Sequence, residues 1–542
     1  MKKLLLVLLV LGLAGLLYAG GAKEVGDAAA AKTDNEGIAL ESYTDEMKLD
    51  VYYAGGCNPA ATAENLMTEY IMDRFKINLE DVSWPAGENS ENKINMMVAS
   101  GAMPDVVQYW SQPTVFHRLA DADMLTPLDD LIDMHMPNYK KYVNDEILDV
   151  FRNPKDGKLY ILPSFTLIPE NIDKLVKING VPVVRKDMLE KTGMDLPETP
   201  EELYVLLKKI KQVGGPDIIP YSNIHPNNEL HLTLGSMFGY PPYGVEIDHE
   251  AEQIVSLWHI PEYLEFLKYA SKLFREGLIN PEILISNFEQ NIEKAKEGRF
   301  AVTFVAPEWV TKWFYPVWNQ KGIDTEYVPF TMPKKEGVDN TYYIAYDPFG
   351  WSMSCISKEV ENPARIAKFI DWMYTKEGNM IMWWGPPSKE KNVWYMENDE
   401  IYYNEVVDKK VKNGEMALNV GGWSYWTNLP GWYDDINPTV IGKGAPGVDP
   451  FLEECQESNI NEAYADINFA RYSKAEKGPI YKERWQDVEN LVDKWEADII
   501  MRAKNDAQVE EKYNQMLKEL KDAGLIQIEK ENYQIYIEVN SD

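Results

Sequence analysis

The sequence predicts a large α/β protein built from at least two lobes. Short apolar runs alternate with amphipathic segments near the start of the chain, which is typical of a sheet covered by helices. Helices with clear start and stop signals recur further along. Beyond residue 46 about 495 residues remain, and a chain of that length exceeds what one hydrophobic core usually serves.

The beginning of that region predicts the order strand, helix, strand, helix, strand. The apolar run 49–56 ends in glycines and predicts a buried first strand, and Thr62 can cap the helix that follows it. A second strand is expected at 77–82, a second helix at 90–99 and a third strand at Val106–Trp110. This alternation favours a parallel sheet.

The third strand ends on two aromatic residues, Tyr109 and Trp110, in the stretch MMVASGAMPDVVQYW. Ligands of open α/β sheets bind beyond the carboxyl ends of the strands. Two rings at such an end, with no apolar residue following them, are therefore candidates for contact with a ligand.

Two later helices carry strong amino-terminal signals. Thr199 can act as cap, Pro200 suits the first turn, and Glu202 completes a capping box. Asn362 and Pro363 repeat the cap-and-proline arrangement before another amphipathic segment. Both patterns predict helices that pack one apolar face on a sheet.

The amino-terminal residues predict an exported protein. Residues 1–21 combine a short basic start with an apolar run and small residues, which is the pattern of a cleaved secretory signal, and an uncleaved anchor is the alternative. Residues 22–46 lack the apolar content needed for a core and are expected to form a disordered tether. No cysteine lies near the expected cleavage site, so attachment of lipid to a signal-peptide cysteine is not expected.

The charge balance excludes several kinds of partner. The chain has 54 basic and 87 acidic residues, a formal net charge of −33, and such a surface repels nucleic acid and anionic lipid. Binding of nucleic acid is therefore not expected.

Cysteine and histidine usage gives no metal motif. Cys57, Cys355 and Cys455 are far apart, allow at most one disulfide, and leave open which two would pair. The six histidines show no HExxH pattern. We expect neither a metal site nor a cofactor.

Several motifs stand in an order that resembles the family 1 extracellular solute-binding proteins, the receptors that feed ABC importers. MVASGAMPDVV (97–107) is similar to that family's helix–SG–PD–strand element, ADMLTPLDDLID (122–133) to the segment after it, and DGKLYILP (156–163) to its crossing into the second lobe. The segment VVRKDMLEKTGMDLPETPEELYVLLKKI resembles the next strand–helix unit, and PARIAKFIDWMYTKEGNMIMWWG resembles the returning helix. YNQMLKELKDAGL (513–525) resembles the carboxyl-terminal helix, so the likeness covers nearly the whole mature chain.

This resemblance implies a two-lobed, type II-like periplasmic-binding-protein fold with a ligand cleft between the lobes. It places the first lobe at 47–168 and 346–390, and the second lobe at 169–345 and 391–542, with a further crossing in the last segment. It implies a monomer in the periplasm or on the outer face of the cytoplasmic membrane, with ABC transporter membrane subunits as partners. The length resembles the oligosaccharide branch of the family. That branch often carries a calcium loop, but here the corresponding segment 211–222 has one acidic residue, so we expect no calcium.

Aromatic residues are the strongest indication of the ligand. The chain has 16 Trp and 32 Tyr, and the tryptophans cluster. A sugar ring presents an apolar face that suits a flat aromatic and a fringe of hydroxyls that suits polar groups. Position at strand ends or in Gly-punctuated loops selects the candidate ligand-binding residues, which are Asn58, Tyr109, Trp110, Tyr221, Glu308, Trp309, Trp351, Trp384 and Trp423. Ordinary packing is the alternative for each of them.

Two other functions remain open at this point. A secreted carbohydrate-active enzyme would need two converging carboxylates, but the acidic doublets are sequence neighbours, which rarely supply that geometry. The same binding fold could serve peptides or a sensory co-receptor. Arg185 and Arg299 are the only arginines near candidate strands, which favours a neutral glycan over a uronic one.

Overall fold

The computed structural model describes residues 38–53, 66–82, 90–163, 180–224, 230–342, 344–346, 349–350, 352–397, 400–412, 416, 450–459 and 463–541. Two mixed sheets organise this part of the chain. The strands are β1 Met47–Tyr53, β2 Ile77–Asp81, β3 Val106–Trp110, β4 Leu162–Pro163, β5 Val181–Arg185, β6 Ile219–Asn223, β7 Val245–Asp248, β8 Gln253–Ser256, β9 Phe300–Val305, β10 Tyr327–Pro329, β11 Ile344–Tyr346, β12 Ser352–Ile356, β13 Trp394–Glu397, β14 Glu400–Tyr403 and β15 Ala463–Ala465.

Helices cover the sheets. They are α1 Leu66–Phe75, α2 Ser90–Ser100, α3 Pro113–Asp121, α4 Asp129–His135, α5 Asp145–Asp149, α6 Lys186–Thr192, α7 Pro200–Val213, α8 Pro261–Arg275, α9 Phe288–Lys296, α10 Pro307–Trp309, α11 Tyr315–Lys321, α12 Pro363–Met373, α13 Lys376–Trp384, α14 Glu405–Lys412, α15 Pro450–Asn459, α16 Ile467–Lys474, α17 Pro479–Arg502, α18 Asp506–Ala523 and α19 Leu525–Val539. A π-helical turn, Val310–Phe314, joins α10 to α11. Within the described residues, no helix combines the length and the apolar character needed to cross a membrane.

The first lobe is built on the five-stranded sheet β2-β1-β3-β12-β4. The predicted parallel pairing holds for β1, β2 and β3, whereas β12 runs antiparallel to both β3 and β4. The core of this lobe takes residues from the sheet and from α12 and α13. A strand from residue 352 onward thus completes a sheet begun at residue 47, so the chain leaves this lobe and returns to it.

The second lobe is built on the four-stranded sheet β10-β5-β9-β6. Strands β6 and β9 are parallel, and β5 is antiparallel to both β9 and β10. Helices α7 and α8 and the carboxyl-terminal helices α17–α19 supply the main core on this sheet. The approach of strand to strand is close at Gly180, where an added Cβ would lie 2.2 Å from the Phe304 ring.

The predicted helix signals are confirmed. The Thr199 Oγ1 accepts the Glu202 amide at 3.2 Å, and a Glu202 carboxylate oxygen accepts the Thr199 amide at 3.3 Å, which is the reciprocal capping box. The Asn362 Oδ1 accepts the Arg365 amide at 3.0 Å and so caps α12. These local bonds satisfy amides that the first helical turn leaves without partners.

The predicted extent of the disordered tether is wrong for residues 38–46. Leu40 and Tyr43 are buried against the first lobe, and Asp45 forms an ion pair with the buried Arg365 at 3.1 Å. The physical reason is that two apolar side chains and one buried guanidinium compensate the cost of ordering a short polar segment.

Candidate functional site

The carboxyl ends of the first-lobe strands converge on one edge of their sheet. In the ladder between β3 and β12, Trp110 is the partner of Ser352, so the end of β3 lies beside the start of β12. Met353 pairs with Pro163, which places the end of β4 at the same edge. We refer to this end of the sheet as the first-lobe edge.

The two aromatics at the end of β3 have different surroundings. Tyr109 is buried and meets the Phe116 ring edge-to-face, with centroids 6.4 Å apart. Trp110 is 37% exposed. Successive side chains of a strand point to opposite faces, and this alternation sends one ring into the core and the other outward. Trp110 is thus the accessible aromatic at this edge, while the ligand contact expected of Tyr109 stays a prediction.

The second lobe has a corresponding edge. Parallel strands β6 and β9 end there at Asn223 and Val305, and the antiparallel β5 begins there, since Val181 pairs with Val305. We refer to it as the second-lobe edge. The chain continues from it directly into α10 and the π-helical turn.

An aromatic ladder follows β9 at the second-lobe edge. The indoles of Trp309 and Trp313 are stacked with centroids 5.3 Å apart and planes inclined by 15°. Trp309 also meets the Phe288 ring edge-to-face at 5.3 Å. Trp309 is partly buried and Trp313 is 38% exposed, so the Trp309 indole lies behind the more accessible Trp313 indole. Sequence reasoning selected Trp309 but missed Trp313, although the spacing of four residues, about one helical turn, was the available signal.

Tyr221 lies within a strand, whereas the sequence analysis places it at the end of one. Strand β6 continues to Asn223, and both residues are buried. The Tyr221 hydroxyl donates to Asn223 Oδ1 at 2.6 Å and lies 3.1 Å from Thr233 Oγ1, which also accepts from Asn223 Nδ2 at 3.2 Å. This buried network fixes the end of β6, and the residue at the strand end is Asn223.

Five predicted site residues cannot be described by contacts. Asn58, Trp351 and Trp423 lie outside the described residues. Glu308 lies in α10 and Trp384 is the last residue of α13, but their side chains are also outside the described part. Their ligand contacts stay predictions.

The same chain segments that begin at one edge end at the other. The chain leaves the first-lobe edge at Pro163 and enters the second-lobe edge at Val181. It leaves the second lobe after β10 and re-enters the first at Ser352, passing through β11. Strand β11 pairs in parallel with β15, which belongs to a later passage of the chain. Both edges therefore lie at the ends of the same chain crossings.

The basic groups near the second-lobe strands are engaged by the protein. Arg185 forms an ion pair with Asp187 at 2.9 Å and also donates to the Gly298 carbonyl oxygen. Burial opposes ionisation of Asp187, but the bonds from Arg185 outweigh it and lower the pKa of that carboxyl. Arg299 Nε donates to the Asp217 carbonyl at 3.2 Å. These arginines act within the fold.

The described residues contain neither a disulfide nor a cluster of possible metal ligands. Cys355 and Cys455 are both buried and neither forms a disulfide, and burial raises the pKa of the Cys355 thiol. No group of three or more His, Cys, Asp and Glu residues with metal-binding geometry occurs in this described part of the chain.

Comparison with known sequences agrees with this architecture. Residues 61–380, more than half of the chain, match the family described as bacterial extracellular solute-binding protein. The chain therefore belongs to that family, and the resemblance identified from the motifs is confirmed.

Particular relatives are more distant. The fructooligosaccharide ABC transporter substrate-binding protein FusA of Streptococcus pneumoniae is 24% identical over 323 residues, which is 56% of this chain and 57% of the relative. Lipoprotein LipO of Bacillus subtilis is 24% identical over 231 residues, or 40% of this chain and 42% of the relative. The matches thus span about half the length of these curated relatives.

Solved structures support the two-lobed fold over most of the chain. The alginate-binding protein AlgQ2, solved without calcium ion, is 18% identical and has a TM-score of 0.63, with 92% of this chain and 99% of that chain covered. FusA of S. pneumoniae in complex with kestose is 17% identical, with a TM-score of 0.63 and coverage of 91% and 100%. At these identities the likeness establishes the fold, which is the α/β, two-lobed solute-binding fold that the sequence predicts.

Proposed function

We propose that this protein is the substrate-binding subunit of an ABC importer and captures a carbohydrate, most simply an oligosaccharide, between its two lobes without chemical turnover. One observation carries the proposal most directly. Accessible indoles stand at both sheet edges that flank the crossings, Trp110 on the first lobe and the Trp309–Trp313 ladder on the second. Flat aromatic faces at both edges suit the apolar faces of successive sugar rings.

The relatives support the same class of ligand. FusA is described as a fructooligosaccharide-binding subunit, AlgQ2 as an alginate-binding protein, and NgtS of S. pneumoniae as an N-glycan transport solute-binding protein. These ligands are all glycans of more than one residue. The structural likeness itself concerns the fold, so the ligand class of this chain rests on the aromatic edges together with these names.

The ligand-binding residues we propose are those of the two edges and of the loops that continue them. They are Asn58, Tyr109, Trp110, Tyr221, Glu308, Trp309, Trp351, Trp384 and Trp423, and we add Trp313 because its exposed indole stacks on Trp309. Within this set we expect Trp110 and Trp313 to contribute most, because both combine a large ring with exposed surface.

Export and delivery complete the proposal. We propose that the protein acts as a monomer at the outer face of the cytoplasmic membrane or in the periplasm, without lipid on a signal-peptide cysteine. Its partners would be the membrane subunits of the importer, and nucleic acid would not be a partner. The engaged arginines favour a neutral glycan.

The testing experiment is titration of intrinsic tryptophan fluorescence with a panel of neutral and uronic oligosaccharides, followed by chromatography of each ligand after incubation. A saturable change with the ligand recovered intact is the expected result. Cleavage of the ligand would replace the proposal by a carbohydrate-active enzyme. No response to any member of the panel, with a saturable response to peptides, would move the protein to peptide binding.

A further inference from the structure

Residues 463–478 form a bridge between the lobes. Helix α15, just before them, packs on the second lobe through Phe451 and Cys455, and α17, just after them, joins the second-lobe core. Between the two, β15 pairs with the crossing strand β11. We refer to residues 463–478 as the bridging segment.

The bridging segment is attached to the first lobe by α16. Ala470 lies in the core of that lobe, and Arg471 forms an ion pair with Glu146. The Lys474 ammonium donates to the Ser111 carbonyl oxygen at 3.3 Å. Ser111 directly follows Trp110, so α16 is tied to the residue next to the accessible indole of the first-lobe edge.

The same segment packs against α19 of the second lobe through Phe469 and Tyr472, and Tyr243 is a further attachment. Its hydroxyl oxygen accepts the amide of Asp466, the cap residue of α16, at 2.9 Å. Its ring stacks on Phe469, with centroids 4.4 Å apart and planes at 20°, and meets Tyr464 edge-to-face at 5.7 Å. One side chain of the second lobe thus contacts β15, the helix cap and the first turn of α16.

The backbone of Tyr243 is strained. It has φ 60° and ψ 7°, a left-handed conformation that is unfavourable for a non-glycine residue. Pro241 and Pro242 restrict the path of the chain before it, because each proline ring fixes φ. Gly244, at φ +67°, completes the turn. The turn is therefore stiff and presents the Tyr243 ring in one position.

A second tyrosine with a left-handed backbone also contacts β15. Tyr342 has φ 45° and meets the Tyr464 ring edge-to-face at 5.5 Å. Strained non-glycine residues persist where surrounding contacts hold them, and they concentrate at switch regions. Here both strained tyrosines hold the strand that passes between the lobes.

We propose that Tyr243 is a positioning residue that latches the bridging segment to the second lobe and so sets the balance between arrangements of the two lobes. Any rotation of one lobe against the other must move α16 relative to Ser111 or relative to Tyr243, since it is attached to both. Both the stack on Phe469 and the bond from the Asp466 amide hold α16 against Tyr243. The consequence for ligand affinity rests on the proposed function.

The test uses the full chain without ligand, so its result is independent of whether the carbohydrate proposal holds. Spin labels are placed on cysteines introduced at exposed Ser100 in the first lobe and Lys504 in the second, with Cys57 replaced by serine. The native Cys355 and Cys455 are buried and are not expected to react. Pulsed electron paramagnetic resonance then gives the distribution of distances between the lobes.

Tyr243→Phe removes the hydroxyl bond and keeps the ring, and Tyr533→Phe is the matched control. The Tyr533 hydroxyl lies 3.0 Å from His249 Nδ1, while the Tyr533 ring, which the substitution keeps, packs in the same core as Tyr472. We expect Tyr243→Phe to change the ratio of the distance populations by about fivefold, the effect of one hydrogen bond. Tyr533→Phe should give the same distribution of distances as wild type. Both variants should have melting temperatures within a few degrees of wild type.

Three results would overturn the latch. They are an unchanged distribution in Tyr243→Phe, an equal change in both variants, and one narrow distance in every protein. Phe469→Leu provides an independent variant, since it removes the stack from the other side and must shift the same populations. If the latch holds while no oligosaccharide binds, the proposed function fails and this inference stands.

Discussion

The indole of Trp313, which is 38% exposed, stacks at 5.3 Å on the partly buried indole of Trp309. The arrangement separates two roles that sequence alone does not distinguish. The inner ring is held by Phe288 and keeps the outer one in place. The outer ring offers a rigid apolar face, because its own freedom is already restricted before a ligand arrives.

Trp313→Ala should lower affinity for the proposed oligosaccharide ligand by about tenfold or more, since one sugar face would lose its aromatic partner. The loss of stability should be small compared with that of a buried indole. Isothermal titration calorimetry gives the affinity without relying on tryptophan emission. Trp485→Ala is the control, because Trp485 packs on Tyr481 and Trp258 in the helical layer of the second lobe. An equal loss of affinity in both variants would contradict the assignment.

Neighbouring residues on β3 provide a second prediction. Trp110→Ala should lower affinity about tenfold with a modest loss of stability, because the indole is partly exposed. Tyr109→Ala should instead destabilise the protein by about 3 kcal/mol or more, because it leaves a cavity against Phe116. Calorimetric binding and chemical denaturation measured on both variants separate the two effects. Lost affinity with full stability in Tyr109→Ala, and lost stability with full affinity in Trp110→Ala, would contradict this division of effects.

The fold was largely predictable because its local signals agree with its tertiary structure. The Thr199 capping box, the Asn362 cap and the strand Val106–Trp110 all form where the pattern places them. The antiparallel insertion of β12 was not predictable from periodicity, since a buried strand has the same pattern in either direction. Only the motif order indicated that the chain returns to the first lobe.

The site was less predictable than the fold. Position at a strand end selected Tyr109 and Trp110 together, but the alternation of side chains in β3 separates them into one core and one accessible residue. Tyr221 was misplaced because Ser222 and Asn223 look like loop residues, whereas both are buried in β6 and hydrogen-bonded. Burial of polar residues depends on partners far along the chain, such as Asn280, which donates to Ser222 Oγ at 3.1 Å.

A buried acid–base pair in the second lobe predicts an unusual dependence of stability on pH. Burial raises the pKa of Glu496 to about 7, although a hydrogen bond from Tyr263 opposes the change, and burial lowers the pKa of His231 to about 4. His231 Nδ1 lies 3.9 Å from a Glu496 carboxylate oxygen. Between about pH 4.5 and 7 the folded state retains the Glu496 proton that the unfolded state has lost, so this term weakens folding as pH rises. Between about pH 4 and 6.5 the unfolded state holds the extra His231 proton, so that term strengthens folding as pH rises.

Replacing either Glu496 or His231 should therefore reveal how the remaining group makes the free energy of unfolding depend on pH. From pH 4 to 6.5, the free energy of unfolding of Glu496→Gln should rise by up to about 3 kcal/mol more than that of wild type. From pH 4.5 to 7, the free energy of unfolding of His231→Gln should fall relative to that of wild type. Urea denaturation at half-unit pH intervals gives the difference curves. Parallel curves for all three proteins would show that neither group changes its proton affinity on folding.

The attachment of residues 38–46 to the first lobe gives the last prediction. The Arg365 guanidinium is buried, lies 4.3 Å from the centre of the Tyr43 ring, and donates to the carbonyl oxygens of Asp45, Phe75 and Lys76 at 2.9, 2.9 and 3.1 Å. Arg365→Met leaves these carbonyls without that donor and should destabilise the protein by about 3–5 kcal/mol. Arg365→Lys should recover only part of this loss, because an ammonium cannot reproduce the planar fork. Asp45→Asn should cost less than about 1 kcal/mol, since the Asp45 side chain is 77% exposed and its backbone carbonyl is unchanged. Chemical denaturation gives the three free energies of unfolding. Hydrogen exchange of residues 38–46 should show lost protection in Arg365→Met alone. Equal effects of Arg365→Met and Asp45→Asn would mean that the exposed ion pair, and not the carbonyl bonds, holds the segment.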